Sequence, residues 1–385
     1  MMNKQTIFSL IMALFISLVA NCQKLSSNYK CVQLKAENFN KIVNGKQVGL
    51  YFLKNGNLTA AITNYGGRIV SLCVPDKNGQ KADVVLGFKS IDDYLKATGV
   101  YHGAIIGRVA GRISKGIFEL EGKAYSLPIN NGPNHLHGGA AGFHNQVWEV
   151  KSVTGSSIVL TYLSVDGEMG YPGNLNVEAT YTLTTNNELT LKFSATTDKT
   201  TPINLTNHAF FNLAGEGNGT ILDHILTIPS NSFCALNSDK IKTGEILKVK
   251  GTPFDFRNRK PIGKDIILEN SNEQLKIAGG YDHSYVLKKK SNAKIILAAT
   301  VVETKSGRKL EIFTNNSSVH FFSANFFNGT DIGKMGKPFS FRESFALETQ
   351  DYNSPNQKFF NTLILVPTKK YEINTIYHFL TLEDK

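Results

Sequence analysis

Short runs of alternating apolar and polar residues, separated by turn residues, dominate the chain from Lys41 onward. The clearest example is residues 48–80, VGLYFLKNGNLTAAITNYGGRIVSLCVPDKNGQ, and residues 149–167 and 175–197 repeat the pattern. A period of two is typical of strands that are buried on one face, and an Asn-Gly pair between two such runs indicates a hairpin. The pattern therefore predicts many antiparallel strands and few helices.

The number of predicted strands favours large sheets in a single domain. The chain has 385 residues, of which 41% are hydrophobic, and this is enough for a sizeable core. No Pro/Ser-rich linker and no tandem repeat divides residues 41–385. We predict an all-β fold for residues 41–385, a large antiparallel β-sandwich. One short helix is expected at SIDDYLKA (90–97), with Ser90 as its N-cap.

The N-terminal residues predict export. Lys4 precedes an apolar run from Ile7 to Ala20, which is the arrangement of a secretory signal peptide. This run is too short and too poorly flanked for a stable membrane span, so we expect no integral membrane domain.

Two interpretations of the end of this leader stay open. The sequence around residue 20 fits ordinary cleavage, and LVANC also resembles a bacterial lipoprotein box in which Cys22 would carry a lipid anchor. Residues 1–22 are therefore predicted to be a signal peptide or lipoprotein leader, and residues 23–40 a polar tether. The protein is expected to be exported, either periplasmic or membrane-anchored through the N-terminal lipid.

Charge and cysteine content exclude some classes of protein. The formal net charge is +11, but the lysines are scattered and no basic helix or nucleic-acid motif accompanies them, so we expect no nucleic-acid partner. The four cysteines show no CxxC or CxxH spacing, which argues against a structural zinc site.

Two stretches contain histidines that could carry chemistry. NHLHGG (134–139) places His135 and His137 two residues apart, where a strand would point both to one side. No nearby HxxxH or HxxE supplies a third ligand, so we expect no metal there. His208 in TPINLTNHAFFNLAG (201–215) is surrounded by apolar and amide side chains, which suits an acid or base of fixed tautomer but also a structural core histidine.

Three further stretches contain candidate charged residues. Arg108 and Arg112 in GAIIGRVAGRI would share a strand face, and an arginine can fork onto vicinal sugar hydroxyls as well as onto carboxylates. Asp282 in AGGYDHSY lies beside aromatic residues, as in many sugar sites, although it also fits a turn cap. Glu348 in FALETQDY is a candidate general base if it is buried, or a solvent-facing residue at a strand end.

The ordered motifs GRVAGRI, NHLHGG, LTNHAFFNL, YDHSY and LETQ resemble those of the aldose 1-epimerase (galactose mutarotase) family, and the resemblance extends over residues 41–379. It implies a large antiparallel β-sandwich of the galactose mutarotase type. It also implies interconversion of the α and β anomers of free aldoses such as glucose and galactose, with a small-molecule monosaccharide as the substrate and neither a cofactor nor a metal.

The resemblance also implies roles for individual residues. Glu348 falls on the general base that takes the proton of the anomeric hydroxyl, and His208 on the acid that protonates the ring oxygen. His137 falls on a second imidazole near the ring oxygen. Arg112 and Asp282 fall on residues that hold sugar hydroxyls.

Two departures from the family pattern motivate other hypotheses. Gly111 stands where the family usually has Asn, and His320 stands where it usually has Gln. Because an imidazole can still bond a hydroxyl, His320 is expected to bind the sugar. A non-catalytic carbohydrate-binding protein on the same scaffold is therefore an alternative, which the presence of Glu348 and His208 disfavours. Action on sugar phosphates is a third hypothesis, which the predicted export disfavours. Neither the preferred sugar nor the oligomeric state follows from the sequence.

Overall fold

The computed structural model describes residues 31–288, 294–354 and 360–382. The predicted leader (1–22), including Cys22, lies outside these ranges, and so do residues 23–30 of the predicted tether.

The described chain is built mainly from strands. In chain order they begin with β1 Lys41–Val43, β2 Lys46–Val48, β3 Leu50–Asn55, β4 Leu58–Thr63, β5 Arg68–Pro75, β6 Lys81–Asp83, β7 Ile105–Ile106, β8 Arg112–Ile113, β9 Ile117–Leu120, β10 Lys123–Ser126, β11 His135–Leu136, β12 Glu149–Val153, β13 Ser157–Ser164 and β14 Leu175–Leu183. They continue with β15 Glu188–Thr197, β16 Thr201–Pro202, β17 Thr206–Asn207, β18 Ile225–Thr227, β19 Ser232–Leu236, β20 Lys242–Lys248, β21 Lys260–Pro261, β22 Asp282–Val286, β23 Ile296–Val302, β24 Arg308–Thr314, β25 Ser318–Phe322, β26 Ala346–Gln350, β27 Ile364–Leu365 and β28 Tyr371–Thr381.

Helices are few and short. The α-helices are α1 Ile91–Lys96, α2 Gly263–Ile266 and α3 Glu273–Ala278, and 3₁₀ turns occupy Ala36–Phe39, Ser114–Gly116, Phe143–Asn145, Glu168–Gly170, Ile267–Asn270 and Phe360–Leu363. The predicted cap of α1 is confirmed, because the Ser90 hydroxyl accepts a hydrogen bond from the Asp93 backbone N–H at 3.2 Å. Across the described ranges, no helix is long and apolar enough to cross a membrane.

In the described ranges, three large antiparallel sheets form the body of the fold, and five two-stranded sheets accompany them. Nine strands run in the order β12-β13-β14-β15-β28-β24-β23-β18-β21, five in the order β20-β19-β22-β25-β26, and four in the order β3-β4-β5-β6. Burial alternates along β14 and β15, so that one face of the nine-stranded sheet is apolar and packed. Its core includes Val177 from this sheet, Leu58 from the four-stranded sheet and Phe321 from the five-stranded sheet. The sheets thus enclose one core, and the predicted antiparallel β-sandwich is confirmed.

The segment before β1 differs from a free tether. Cys31 forms a disulfide with Cys73 of β5, with their Cα atoms 5.8 Å apart. Phe39 is fully buried in an apolar cluster, and Leu34 packs against that cluster. Cys31, Leu34 and Phe39 are therefore attached to the domain, while the boundary at Lys41 stays a prediction.

We expect Phe39→Ala to lower the free energy of unfolding by about 3–5 kcal/mol, since a fully buried phenylalanine leaves a cavity when it is truncated. Urea denaturation measures the change. Phe52→Ala is the matched control, because this side chain is 52% exposed and its loss should cost less than about 1 kcal/mol. Equal effects of the two substitutions would contradict the packed arrangement of residues 31–40.

Candidate active site

A cleft of about 670 Å³ opens at the edge of the five-stranded sheet. Its lining includes all six residues that the sequence singled out as site candidates: Arg112, His137, His208, Asp282, His320 and Glu348. Arg112 begins β8, while His137 and His208 directly follow β11 and β17. The other three lie within β22, β25 and β26. A second depression of about 600 Å³, over β13–β15, contains none of the six.

The register of the five-stranded sheet aligns one wall of the cleft. Ser284 of β22 lies opposite His320 of β25, which lies opposite Glu348 of β26. Because successive side chains alternate between the two faces of a strand, the neighbours Phe321 and Leu347 point into the core instead. The sheet ladder therefore places His320 and Glu348 side by side in the cleft, with Ser284 buried behind His320.

His208 and Glu348 face each other inside the cleft. His208 Nε2 lies 3.5 Å from Glu348 Oε1, and the two side chains are 6% and 2% exposed. Within the described residues, neither His208 Nδ1 nor Glu348 Oε2 has a hydrogen-bond partner. Buried polar atoms are normally satisfied, so these two atoms are candidates for contact with a ligand or a proton.

Burial shifts the protonation of this pair towards neutrality. It raises the pKa of Glu348 to about 8, with the negative charge of Asp282 contributing in the same direction. It also lowers the pKa of His208 to about 3. Charged forms are disfavoured in a desolvated site, so at neutral pH the His208 imidazole is neutral and Glu348 is protonated. The pair then holds one titratable proton, which resides on Glu348.

The peptide chain around His208 is held by hydrogen bonds. The His208 backbone N–H donates to the Ala104 carbonyl at 2.8 Å, and the His208 carbonyl accepts from the Gly103 N–H at 3.1 Å. The Asn207 amide donates to the Gly103 carbonyl at 2.7 Å. The amide-rich sequence near His208 thus braces the backbone that carries the imidazole.

The tautomer of His137 is fixed by the backbone. The Gly111 N–H donates to His137 Nδ1 at 3.2 Å, so in the neutral ring the proton resides on Nε2. Burial holds the pKa of His137 well below its usual range, and the nearby His208 and Arg112 lower it further. His137 is therefore a neutral N–H donor, and its ring packs edge-on against that of His208 at 5.5 Å.

The hydrogen bond from Gly111 to His137 Nδ1 also affects whether the site could bind a metal. One ligand atom from each of His137, His208 and Glu348 lies within 4.8 Å of the others, which is close enough for three ligands of one ion. Histidine ligands normally donate their second ring N–H to an acceptor, whereas His137 Nδ1 accepts a hydrogen bond from the Gly111 N–H. A metal would have to meet a protonated Nε2 or displace this bond, so the donor set does not suit one.

Asp282 and Arg112 lie beside each other in the cleft, next to His320. Asp282 Oδ2 lies 3.8 Å from Arg112 Nη1, and Arg112 Nε donates to Asn131 Oδ1 at 3.0 Å. Burial disfavours the Asp282 carboxylate, but the hydrogen bond from His320 and the charge of Arg112 outweigh it and hold the pKa of Asp282 below its ordinary value. Asp282 is thus an ionised acceptor at neutral pH.

The paired arginines and paired histidines of the sequence separate in the structure. Arg108 is buried and donates to the Ser164 hydroxyl and to four backbone carbonyls, whereas Arg112 lines the cleft. His135 bonds the Pro128 carbonyl and the Tyr171 hydroxyl and plays a structural role.

The glycines after His137 allow a close backbone approach. A Cβ at Gly138 would lie 1.8 Å from the Gly107 carbonyl oxygen, and the φ of Gly138 is +82°. Gly138 therefore lets the loop after His137 pack directly against the backbone at Gly107.

Tyr101 is a cleft residue that the sequence did not indicate. Its ring lies 4.8 Å from the rings of His137 and His144 and stacks on His208 at 5.7 Å. No motif spacing connects it to these histidines, which lie between 36 and 107 positions downstream (137 − 101 and 208 − 101). Only the folded arrangement identifies this contact.

Comparisons with known proteins identify the family to which the chain belongs. The aldose 1-epimerase family model matches residues 49–378. A galactose mutarotase from Sus scrofa is 41% identical over 328 residues, covering 85% of this chain and 92% of the relative. The Homo sapiens galactose mutarotase is 39% identical over 336 residues, covering 87% and 95%. An aldose 1-epimerase from Escherichia coli is 30% identical over 329 residues, covering 85% and 93%.

Solved structures give the same result for the fold. An aldose epimerase homologue from C. elegans superposes with a TM-score of 0.79 at 31% identity, covering 87% of this chain and all of the other. A galactose 1-epimerase from Lactobacillus acidophilus gives 0.77 at 26% identity, covering 89% and 97%. The predicted sandwich of the galactose mutarotase type is confirmed.

Proposed function

The chain belongs to the aldose 1-epimerase family and interconverts the α and β anomers of aldoses, and from this premise we propose that free aldohexoses such as galactose and glucose are its substrates. The relatives at about 40% identity are galactose mutarotases, which supports this substrate class. The cleft offers a carboxylate, a guanidinium and imidazoles, which are suitable partners for sugar hydroxyls.

The observation that carries the mechanism is the buried pair of His208 and Glu348, 3.5 Å apart with one uncommitted atom each. Glu348 takes the proton of the anomeric hydroxyl and His208 gives a proton to the ring oxygen. The C1–O5 bond then breaks, which leaves an aldehyde and a free C5 hydroxyl. After rotation about C1–C2, closure on the other face of the aldehyde reverses both transfers.

The single proton of the pair is sufficient for this reaction. In the free site it resides on Glu348, and its transfer to His208 gives the carboxylate base and the imidazolium acid that the proposed roles require. His137 remains a neutral donor through its Nε2–H and stabilises the developing charge on a sugar oxygen. Arg112 and Asp282 hold other hydroxyls of the sugar.

The activity and its sugar range are tested by polarimetry. Wild-type protein should accelerate the change in rotation of freshly dissolved α-D-galactose and α-D-glucose well above the buffer rate. Calorimetry on the same sugars separates catalysis from binding alone. Sugar binding without acceleration would overturn the proposed mechanism in favour of a binding protein, and a faster rate on glucose 6-phosphate would overturn the proposed substrate class.

The pH dependence of kcat/KM should follow the one-proton form of the pair. This form loses its proton as pH rises through the pKa of Glu348, about 8, and gains a second as pH falls through the pKa of His208, about 3. We therefore expect a plateau in mildly acidic to neutral buffer and a decline above about pH 8. A rate that kept rising from pH 7 to 10 would contradict this protonation state.

We propose that the protein is exported, through a leader that ends at or near Cys22. The basic and apolar N-terminal sequence supports this, and so does the disulfide between Cys31 and Cys73, since disulfides persist mainly in oxidising compartments. If Cys22 carries a lipid, Cys22→Ala should abolish incorporation of a labelled fatty acid and release the protein from the membrane fraction. Cys234→Ala, which removes a buried free cysteine, is the control and should change neither. If the wild type incorporated no labelled fatty acid, the lipid anchor would be refuted and ordinary cleavage of the leader would be the remaining interpretation.

A further inference from the structure

A hydrogen-bonded chain of three residues lies in the wall of the cleft, outside the acid/base pair. His320 Nε2 lies 2.7 Å from Asp282 Oδ1, and His320 Nδ1 lies 3.0 Å from the Ser284 hydroxyl. Beyond Asp282, the chain continues to Arg112 through the 3.8 Å contact with Oδ2. The relatedness of the chain to mutarotases does not explain why an imidazole occupies this position.

Both ring nitrogens of His320 are engaged by the protein. An ionised Asp282 can only accept, so His320 Nε2 donates to it, and Nδ1 of the neutral ring then accepts from the Ser284 hydroxyl. This leaves no ring nitrogen for a sugar hydroxyl. The direct contact of His320 with substrate stays a prediction. The ring has no spare donor or acceptor for such a contact unless one of its two hydrogen bonds breaks.

The order Ser284, His320, Asp282 is that of a hydrolytic triad, but the surroundings exclude that use. Ser284 is 1% exposed and is not among the cleft-lining residues, so its oxygen cannot reach a substrate carbonyl. A nucleophilic serine needs access as well as a base. The chain of hydrogen bonds is thus structural support for Asp282.

We propose that His320 is a positioning residue that holds Asp282 by Oδ1 so that Oδ2, beside Arg112, is presented to one sugar hydroxyl. This proposal rests on the proposed function and deepens it. We call the arrangement a relay, because His320 would affect sugar affinity only through its hydrogen bond to Asp282. A side chain fixed by an outer partner keeps its orientation when the substrate binds, whereas an unfixed carboxylate loses rotamer freedom.

A double-mutant cycle tests the relay. His320→Ala should raise KM for α-D-galactose roughly tenfold, with kcat within about threefold of the wild type, because the lost interaction orients a group that binds ground and transition states alike. His320→Gln, whose amide can also donate to Asp282, should recover most of the affinity. In an Asp282→Ala background, His320→Ala should add less than about twofold, because its partner is already gone.

Serine variants give the matched control. Ser284→Ala should raise KM a few-fold, whereas Ser318→Ala should not, since Ser318 is equally buried in β25 but donates to the Gln350 carbonyl. Additive effects of His320→Ala and Asp282→Ala, or a fall in kcat with unchanged KM, would overturn the relay and indicate direct contact with the sugar. The same double-mutant cycle can be measured with dissociation constants for galactose in place of KM. If the wild type failed to catalyse mutarotation, the proposed function would be refuted, and the dissociation constants would still test the positioning role of His320.

Discussion

Glu348→Gln is expected to lower kcat for mutarotation of α-D-galactose by about 10²–10⁴-fold, the usual contribution of a positioned general base. The glutamine amide fills the same space but cannot take the proton of the anomeric hydroxyl. KM should change little, because Arg112 and Asp282 still hold the sugar. Polarimetry at several sugar concentrations gives both constants.

The same substitution has a predicted effect on stability, which serves as its control. Because burial raises the pKa of Glu348 to about 8, the folded chain binds this proton more tightly than the unfolded chain. That contribution is fully present below the ordinary pKa of a glutamate and is lost as pH rises through about 8. Glu348→Gln should therefore be at least as stable as the wild type towards urea at pH 9. An inactive variant that is also unstable at pH 9 would instead point to misfolding.

His208→Gln is expected to lower kcat by a similar factor, about 10²–10⁴-fold, because the ring oxygen then lacks its proton donor when the C1–O5 bond breaks. Stopped-flow polarimetry measures the loss. The double variant with Glu348→Gln should be little slower than either single variant, since the two residues act as one unit in a single proton exchange.

A buried histidine elsewhere in the chain provides the control for His208. His224 is 2% exposed and its Nε2 accepts from the Leu213 N–H at 3.1 Å, away from the cleft-lining residues. His224→Gln should keep kcat within a few-fold of the wild type. A loss as large as that of His208→Gln would mean that burial of a histidine, and not its place in the cleft, explains the effect.

Strand content and sheet direction could be predicted because they depend on local pattern. The alternation in residues 175–197 and the Asn-Gly turn after Lys54 lead directly to β14–β15 and β3–β4. The order of the strands in the sheets could not be predicted in this way. The pairing of β15 with β28, which is remote in sequence, depends on how the whole core closes.

The six candidate residues of the site were predictable from motifs, but their chemical states were not. A sequence does not give the depth of a side chain, and depth is what raises the pKa of Glu348 and lowers that of His208. The tautomer of His137 depends on a backbone N–H that becomes its neighbour only on folding. Tyr101 was missed for the same reason, since its contacts with three imidazoles join segments that are distant in the chain.

The alignment of Ser284, His320 and Glu348 across three strands has a consequence for how such a site diversifies. The backbone ladder keeps these three positions in register, so a point substitution at one of them replaces a side chain without shifting the strands. The histidine at position 320, where the family usually has Gln, is such a substitution. A one-residue insertion within β25 would instead exchange the cleft face for the core face. This wall should therefore tolerate the exchange of single side chains better than an insertion or deletion within a strand.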